Sequence, residues 1–516
     1  MRVAAMDVGT NSVHMIVAQV DPDGHFRVLD RAKEMVRLGR NGLTHGRLTA
    51  TAMEAGVRSI AQFKTLAERQ GATRIRAVAT SAVREARNGG DFIQRVKEQT
   101  GIRLKVIPGR EEARLIWLGA VQAMDLRGEP SVILDIGGGS VELIVVEGGQ
   151  PTALHSLKLG CARMTERFLH GDPPTARSVK DLDAHLRHEL EAAVHAARHA
   201  GARRVIATSG TMLCLVSMAA HRLGVHPGKT LHGVTVAPSE IARLAKTLRE
   251  SERERRLRLK GMDAKRVDLI YAGAAVADQI LRGIRATSLT ACTWALREGI
   301  LVDYIQRHGK GIEESARFAD VRRRSVARLL RRLGYHGPHH EHVAKLSLRL
   351  FDQLRDRLGL SPAHRELLEY AALLHDIGHL IGREDHYLHS YYLIVHGELF
   401  GFTREEVELM GQVALHHHRR GIPKPPSDPE VPLPTTEWKA IRALSSILRL
   451  AEGLDRSHWG IVSDVRVAKR RSGGAVLELR TDGHDAALEV WEAGRRTELL
   501  AKLLGGEVRL RVAGRR

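Results

Sequence analysis

"ILDIGGGSVELIVV" at residues 133–146 and "AAMDVGTNSVHMIV" at residues 4–17 share one pattern. In each stretch an apolar run reaches an aspartate, a glycine-containing turn follows, and a second apolar run returns, which predicts two strands joined by a turn. When Asp7 is aligned with Asp135, the glycine, serine and apolar positions that follow coincide without a gap. The repeat predicts two related half-domains that face each other. Their turns would offer backbone N–H groups to phosphate oxygens.

The length of the chain, 516 residues, exceeds what a single hydrophobic core can organise, so we expect three or four domains. No stretch approaches the roughly 20 consecutive apolar residues of a membrane span, and the N-terminus lacks a signal-peptide pattern. We therefore expect a cytoplasmic protein without integral membrane contact.

The charge is strongly positive. Eighty Lys and Arg residues against 60 Asp and Glu residues give a formal net charge of +20, which favours a polyanionic partner such as nucleic acid, an anionic membrane or polyphosphate. The sequence contains no zinc finger or other nucleic-acid module, so we expect no specific nucleic-acid binding. Charge alone leaves the polyanion undecided.

Four regions differ in their periodicity. In residues 1–124 and again in residues 125–306, strands alternate with helices, which predicts two α/β domains. Residues 307–460 have helical periodicity almost throughout, and residues 461–516 are typical of a small α+β domain.

Polar turns follow the predicted strands of the first two regions at residues 7–12, 80–88, 135–142 and 208–211. Ligands of open α/β sheets gather at the carboxyl ends of strands, so these turns are expected to converge. Two adjacent glutamates, at 111 and 112, also begin a helix directly after a strand. One of them would suffice to complement the helix dipole, so the pair indicates a further role.

Six motifs carry a family resemblance: "AAMDVGTNS", "ATSAVREARN", "PGREEARLI", "ILDIGGGSVEL", "TSGT" and "LREGIL", in this order over residues 4–301. With them the chain resembles the exopolyphosphatase / guanosine pentaphosphate phosphatase (Ppx/GppA) family, within the superfamily of acetate kinase, sugar kinases, heat-shock chaperones and actin. The resemblance implies duplicated actin-like, ribonuclease-H-like halves of α/β class, a fold that would require the internal repeat described above. It further implies a homodimer.

The resemblance implies a role for each motif. Glu112 would be the general base that activates water, and Asp7, Asp135 and Glu142 would hold Mg²⁺. The implied phosphate-binding residues are Gly9, Thr10, Asn11 and Ser12 in the first turn, Gly137, Gly138, Gly139 and Ser140 in the second, and Arg84, Ser209, Gly210 and Thr211 elsewhere.

Phosphoryl transfer to water needs the components that these motifs supply: a cation, hydrogen-bond donors around the charge and a carboxylate that orients water. Mg²⁺ is usually held by few carboxylates, as here. We therefore expect an exopolyphosphatase that releases terminal phosphate from inorganic polyphosphate, the substrate that the charge of +20 favours. Alternatives are a guanosine pentaphosphate 5′-phosphohydrolase, a nucleotide-dependent kinase or chaperone on the same fold, and a non-catalytic regulator that binds alarmones or polyphosphate.

The helical region contains "YAALLHDIGHL" at residues 370–380, with adjacent His375 and Asp376. Together with His342 upstream and Asp455 downstream, this order resembles the HD superfamily of metal-dependent phosphohydrolases and implies an all-α HD-type domain. His389, His417 and His418 would be ligands of a second metal. A mixed set of histidines and carboxylates suits Fe, Mn or Zn better than Mg²⁺. The alternative is a degenerate HD fold that only shapes the substrate channel.

Overall fold

The computed structural model describes the chain apart from residues 22–25, 40–41, 43–44, 226–229, 309–319, 336, 419–420, 422, 428, 430, 470–472 and 514–516. The chain forms two compact units, Met1–Val321 (unit 1) and Arg322–Arg516 (unit 2). Within the described ranges, no helix combines the length and the apolar character needed to cross a membrane.

The first half of unit 1 is a five-stranded mixed sheet with helices around it. Its strands are β1 (Arg2–Val8), β2 (Val13–Val20), β3 (Phe26–Glu34), β4 (Arg74–Ala79) and β5 (Leu104–Val106). Its helices are α1 (Ala50–Arg69), α2 (Ser81–Glu85), α3 (Gly89–Thr100) and α4 (Gly109–Val121). The strand order is β3-β2-β1-β4-β5, in which β1 to β3 form an antiparallel meander and β4 and β5 run parallel to β1.

The second half of unit 1 repeats this sheet. Its strands are β6 (Ser131–Ile136), β7 (Val141–Glu147), β8 (Gln150–Leu157), β9 (Arg204–Thr208), β10 (Thr235–Val236) and β11 (Ser288–Ala291). Its helices are α5 (Cys161–Phe168), α6 (Ala176–His199), α7 (Ser209–Arg222), α8 (Pro238–Arg249), α9 (Arg253–Leu257), α10 (Ile270–Gly283) and α11 (Leu296–His308). The order β8-β7-β6-β9-β11 matches that of the first half in sequence and direction, and β10 adds an antiparallel edge. The two mixed sheets fit the duplicated actin-like α/β fold that the sequence predicts.

The central strands form because their apolar residues are buried on both faces. Every residue of β6 is buried, since helices cover both sides of the sheet at this point. Each half has a hydrophobic core of its own, one around Met6 and Phe92 and the other around Leu134 and Leu190. The boundary predicted after residue 124 falls in the loop between α4 and β6.

Unit 2 combines helices with a three-stranded sheet. Its helices are α12 (Val321–Arg332), α13 (Pro338–Leu354), α14 (Ala363–Leu374), α15 (His386–Val395), α16 (Arg404–Leu415), α17 (Thr435–Gly453), α18 (Ala487–Gly494) and α19 (Glu498–Leu504), with a 3₁₀ turn at Ile377–Leu380. Its strands are β12 (Asp464–Lys469), β13 (Ala475–Arg480) and β14 (Val508–Val512). The middle strand, β13, pairs antiparallel with β12 and parallel with β14.

The predicted division of this region after residue 460 is not visible as a break in packing. One hydrophobic core contains Leu350 and Leu444 from the helices together with Leu477 and Leu479 from the sheet. A sheet of three strands needs a partner for its apolar face, and the helices supply it. Residues 461–516 therefore complete the core of the helical region.

Candidate active site

The two repeated turns of unit 1 have the same closure. In the β1–β2 turn the N–H of Gly9 donates to the carbonyl of Ser12 at 3.0 Å, and in the β6–β7 turn the N–H of Gly137 donates to the carbonyl of Ser140 at 3.0 Å. The predicted hairpins are thus equivalent in the folded chain, and each presents a short loop beyond its aspartate-bearing strand.

The two loops touch each other, and glycine is required where they do. A Cβ on Gly138 would lie 2.6 Å from the Asn11 side chain, and one on Gly139 would lie 2.5 Å from Ser81 Oγ and 2.7 Å from Thr10 Oγ1. A larger residue at either position would have to displace these side chains. The loops therefore form one continuous lining along the cleft between the halves.

The turn between β9 and α7 closes another side of the cleft. Thr208 Oγ1 donates to Asp135 Oδ2 at 2.8 Å, and Ser209 Oγ donates to the carbonyl of Ile136 at 3.0 Å. Ser209 has a left-handed backbone with a φ of 68°, which is unfavourable for serine and is held in place by these contacts.

Glu112 lies in the first turn of α4 and is buried. Arg84 Nη1 donates to Glu112 Oε2 at 2.9 Å and to the carbonyl of Ile107 at 2.9 Å, so it fixes the orientation of the carboxylate. The sequence predicts Arg84 as a phosphate contact, whereas in the structure its Nη1 is used for Glu112. Ser156 Oγ holds Glu142 in the same way, donating to Oε1 at 2.8 Å.

These elements enclose a cavity of about 300 Å³. The predicted residues that line it are Asp7, Gly9, Thr10, Asn11, Ser12, Glu112, Asp135, Gly137, Gly138, Gly139, Ser140, Glu142, Ser209, Gly210 and Thr211. Asp7 and Glu112 are 105 positions apart in the sequence and line the same cavity, as the convergence of strand ends predicts.

Four carboxyl groups in this cavity have raised pKa values, chiefly because they are buried. Burial and the nearby Glu112 raise the pKa of Asp7 to about 8, and burial raises that of Asp135 to about 6. Burial raises the pKa of Glu112 to about 7 against the opposing effect of Arg84, and burial with Glu112 raises that of Glu142 well above its ordinary value. Asp7 Oδ1 is buried without a hydrogen-bond partner in the described part of the chain. Carboxylates that disfavour ionisation together fit a divalent cation, and oxygen ligands suit Mg²⁺.

Four basic side chains line the same cavity and were not predicted: His14, Lys33, Arg266 and Arg297. Arg266 packs over Gly210, where any Cβ would overlap its guanidinium group, and its Nη1 lies 3.3 Å from Thr211 Oγ1. His14 and Arg297 fall inside quoted motifs and could have been found there. Lys33 and Arg266 have no local sequence signal, because only the folded chain brings them to the cleft.

Unit 2 contains a second cluster, centred on Asp376. Its Oδ2 lies 3.5 Å from His375 Nε2 and 3.9 Å from His339 Nε2. Its Oδ1 lies 3.4 Å from both His386 Nε2 and His417 Nε2. Two groups of three potential metal ligands, each with ligand atoms within 4.8 Å of one another, therefore share this one carboxylate.

The other ring nitrogen of each of these four histidines is engaged. The Nδ1 of His339 lies 2.8 Å from Asp455 Oδ2, and the Nδ1 of the other three contacts the backbone carbonyl three residues earlier. Since those oxygens can only accept, each Nδ1 carries a proton, and each Nε2 is turned toward the carboxylate, where it can bind a metal ion when unprotonated. This is the arrangement in which metal-binding histidines are held.

Four of the seven predicted ligands lie outside the two triads: His342, His389, His418 and Asp455. His342 lies one turn after His339 on α13, and its Nε2 contacts the carbonyl of Val462 at 3.0 Å. His389 lies one turn after His386 on α15 and belongs to neither triad. His418 lies beside the cluster in an edge-on contact with His386, with the ring centres 5.1 Å apart and the planes at 68°. The triads contain instead His339 and His386, each of which lies one turn before a predicted histidine on the same helix.

Comparison with known proteins agrees with the motifs. The sequence profile of the Ppx/GppA phosphatase family matches residues 16–308, and that of domain III of the same family matches residues 321–484. The HD resemblance within this second segment stays a prediction. An exopolyphosphatase from Cytophaga hutchinsonii is 28% identical with a TM-score of 0.56, over 60% of this chain and 98% of that one. A Ppx/GppA family member from Aquifex aeolicus is 28% identical with a TM-score of 0.51, over 60% of this chain and 99% of that one. The chain belongs to the Ppx/GppA phosphatase family.

Proposed function

We propose that the cleft of unit 1 releases terminal phosphate from inorganic polyphosphate. The observation that supports this most directly is a buried carboxylate, Glu112, which Arg84 orients into the cavity that both glycine loops line. A cleft that only bound phosphate would have no use for such a group, because a carboxylate repels phosphate and serves water activation.

Different residues of the cleft would bind phosphate, hold the cation and activate water. The backbone N–H groups of the two glycine loops bind phosphate oxygens, and Lys33, Arg266 and Arg297 neutralise their charge. Asp7, Asp135 and Glu142 would hold Mg²⁺, which when bound neutralises phosphate oxygens and polarises the phosphorus centre. Glu112 orients the attacking water and accepts its proton.

Polyphosphate is the substrate that the charge of the chain favours, since +20 supports binding of a long polyanion. Guanosine pentaphosphate is the alternative substrate, and the ratio of kcat/KM for the two decides between them. Phosphate release without any added acceptor distinguishes hydrolysis from kinase activity.

The substitution Glu112→Gln tests the proposed base. It keeps the size of the side chain but removes the proton acceptor, so we expect kcat on polyphosphate to fall about 10²–10⁴-fold with little change in KM. Glu111→Gln is the matched control, because Glu111 lies beside it on α4, pairs with Arg114 at 2.7 Å and is outside the cavity lining. A loss below about fivefold in Glu112→Gln, or an equal loss in both variants, would remove Glu112 from this role.

We also propose that unit 2 binds two transition-metal ions through the Asp376 cluster. The Nε2 atoms of four histidines converge on one carboxylate, and those of His339 and His375 have no hydrogen-bond partner among the described residues. Metal ions bound there would use the Nε2 lone pairs. His339 and His375 belong to one side of Asp376, where Asp455 holds the ring of His339, and His386 and His417 belong to the other side. Imidazole with carboxylate suits Fe, Mn or Zn.

Elemental analysis of the purified full-length protein tests this metal proposal. We expect bound Fe, Mn or Zn that is lost in His375→Ala and in Asp376→Asn. His342→Ala and His389→Ala are matched controls, because they remove histidines from the same region outside the triads and should retain the metal. Absence of metal after reconstitution, or equal loss in the controls, would make the cluster purely structural. Hydrolysis that survives Glu112→Gln and disappears with His375→Ala would identify a second active site.

A further inference from the structure

The two repeated turns of unit 1 close in the same way but have different surroundings. On the neighbouring strand, His14 lies opposite Asp7 in the first half, whereas Glu142 lies opposite Asp135 in the second. The turns also differ in what lies behind them. Behind the second glycine loop, residues 137–140, the helix α5 begins, and its contacts determine which groups the loop can offer to a ligand.

The start of α5 holds the carbonyl groups of this loop. The N–H groups of Cys161 and Ala162 donate to the first two carbonyls, those of residues 137–138, at 2.9 Å each. The third contact comes from a side chain, since Arg163 Nε donates to the carbonyl of Gly139 at 3.0 Å. Three successive carbonyls of the loop therefore point toward α5.

The N–H groups of the loop point the other way. Its peptide bonds are trans, so each C=O and the N–H of the next residue have opposite directions. The N–H groups of residues 138–140 therefore point away from α5, and none of them donates to an acceptor within the described part of the chain. Residues 137–140 line the cavity, and residues 160–163 are not among its described lining residues. The loop thus presents a row of unused N–H groups to the cavity, where an anion can accept from them.

The guanidinium group of Arg163 is in turn held by the first half of unit 1. Its Nη2 donates to both carboxylate oxygens of Glu85 in α2, at 3.1 and 3.0 Å, and Ser81 Oγ donates to the same carboxylate at 2.8 Å. The Arg163 side chain is only 12% exposed, so this ion pair is largely shielded from salt. Arg163 therefore joins the halves, with one nitrogen on the loop of the second and another on a carboxylate of the first.

We propose that Arg163 and Glu85 are positioning residues for phosphate binding. Arg163 fixes the peptide group between Gly139 and Ser140, so that the N–H of Ser140 points to the bound phosphate, and Glu85 keeps the guanidinium group in this orientation. The binding shape of the second loop thus depends on a carboxylate of the first half. The proposal rests on the phosphate-hydrolysing function proposed above and adds two residues outside the cavity lining that set its affinity.

Calorimetric titration with inorganic tripolyphosphate tests the role of Arg163. The full-length protein is used in Mg²⁺, with Glu112→Gln in every sample to prevent turnover. Arg163→Met keeps the apolar part of the side chain and should weaken binding about tenfold, as loss of one hydrogen bond to a charged group does. Arg163→Lys should weaken binding nearly as much, because an ammonium group can pair with Glu85 but lacks the planar fork that also holds the carbonyl. If Arg163 only tied α5 to Glu85, lysine would restore the affinity.

Glu85→Ala tests the second positioning residue. On charge alone, loss of a carboxylate would strengthen the binding of an anion, whereas loss of positioning should weaken it severalfold. The double variant Arg163→Met/Glu85→Ala should bind no more weakly than Arg163→Met, since Glu85 acts through Arg163.

Lys158→Met is the matched control. Lys158 Nζ lies 3.2 Å from the same Glu85 carboxylate, but its side chain is 73% exposed. The substitution removes a positive charge beside Glu85 and leaves the contact of Arg163 with the loop in place, so the affinity should stay within about twofold of the parent value.

Unchanged affinity in Arg163→Met, restored affinity in Arg163→Lys, or an equal loss in Lys158→Met would overturn the assignment. If Arg163→Met does not fold, the affinities of Arg163→Lys and Glu85→Ala decide. Failure of Glu112→Gln itself to bind tripolyphosphate would overturn the proposed function together with this assignment. The expected binding pattern without phosphate release by the parent protein would overturn only the proposed function.

Discussion

Asp7 is the residue at which function and stability oppose each other most directly. Its Oδ1 is buried without a hydrogen-bond partner among the described residues, and burial with the nearby Glu112 raises its pKa to about 8. A buried, unpaired carboxyl group destabilises the folded state, and a bound cation relieves this. Unit 1 therefore retains an unfavourable group at the place where the proposed Mg²⁺ binds.

Asp7→Asn should stabilise the protein and inactivate it. In EDTA we expect the Tm to rise by a few degrees. The neutral amide replaces a buried, unpaired carboxyl group, which destabilises the folded state by about 1–3 kcal/mol. The rise in Tm that Mg²⁺ gives to the parent protein should shrink in the variant, and kcat should fall. Asp91→Asn is the control: this exposed carboxylate lies in the first turn of α3, so its loss should lower stability slightly. A Tm that falls in Asp7→Asn would contradict the assignment.

Individual site residues were predictable where the chain repeats itself. Asp7 and Asp135 were identified because the same turn occurs twice, and Glu112 because a second glutamate beside Glu111 exceeds the need of a helix end. His339 and His386 were missed for a different reason. Each has another histidine three residues later, on the same face of its helix, and the choice between the two depends on how far one helix slides along its neighbour. No local pattern contains that distance.

At the scale of elements, the crossing of α4 and α11 positions the proposed base. A Cβ on Gly119 would overlap the carbonyl of Ala295, and a Cβ on Gly299 would overlap the carbonyl of Leu115. The two helices therefore touch through their backbones. This close contact fixes α4, which carries Glu112, against α11, which carries Arg297.

Gly299→Ala should separate these helices. Because the clash is with rigid backbone, we expect a loss of about 1–3 kcal/mol of unfolding free energy and a reduced kcat as Glu112 moves from its place. Gly90→Ala in α3 is the matched control, since its Cβ meets nothing within 4 Å and alanine favours a helix by about 0.5–1 kcal/mol. Thermal unfolding and phosphate release measure both effects. An unchanged kcat in Gly299→Ala would show that the crossing does not position the base.

His232 joins the end of α4 to the loop before α11. Its Nε2 lies 3.2 Å from the carbonyl of Ala123, and its Nδ1 lies 3.3 Å from the N–H of Thr293, which donates to it. Both contacts need the neutral ring with its proton on Nε2. Burial accordingly lowers the pKa of His232 from 6.5 to about 4.

The stability of unit 1 should depend on this histidine in acid. The folded pKa lies below the unfolded one, so its contribution is complete above pH 6.5 and is lost as the pH falls from 6.5 toward 4. In denaturant titrations, the parent protein should lose roughly 2–3 kcal/mol more than His232→Gln between pH 7.5 and 4.5. Parallel pH profiles for the two proteins would mean that the ring does not titrate with unfolding.

The sequence predicts the strands and helices of unit 1 well, because alternating elements and strand-end turns leave local patterns. It does not predict that β12 to β14 share a core with α13 and α17. The strands of residues 461–516 alternate like those of an independent sheet. Which face of the sheet is covered depends on helices that precede it in the chain, one of them, α13, by more than a hundred residues.

At the scale of the whole molecule, the net charge of +20 gives a prediction about substrate length. Long polyphosphate displaces many condensed counterions when it binds cations, so its affinity should fall steeply with salt, as that of nucleic acids does. A chain of a few phosphates meets fewer cations and should show a shallower slope. Fluorescence titrations of a short and a long polyphosphate at about 50 and 200 mM salt measure this. If the long chain makes many contacts, its affinity should fall about 10³-fold between the two salt concentrations. Equal slopes would confine binding to the cleft.

The pairing of Asp7 with His14 and of Asp135 with Glu142 has a consequence for ancestry. A homodimer of one half-domain would carry the same residue at both places, and its cleft would be symmetric. Only after the coding sequence of the half-domain was duplicated could a substitution change one copy alone. Asymmetry at this one register position is therefore something that duplication of the half-domain made available to selection.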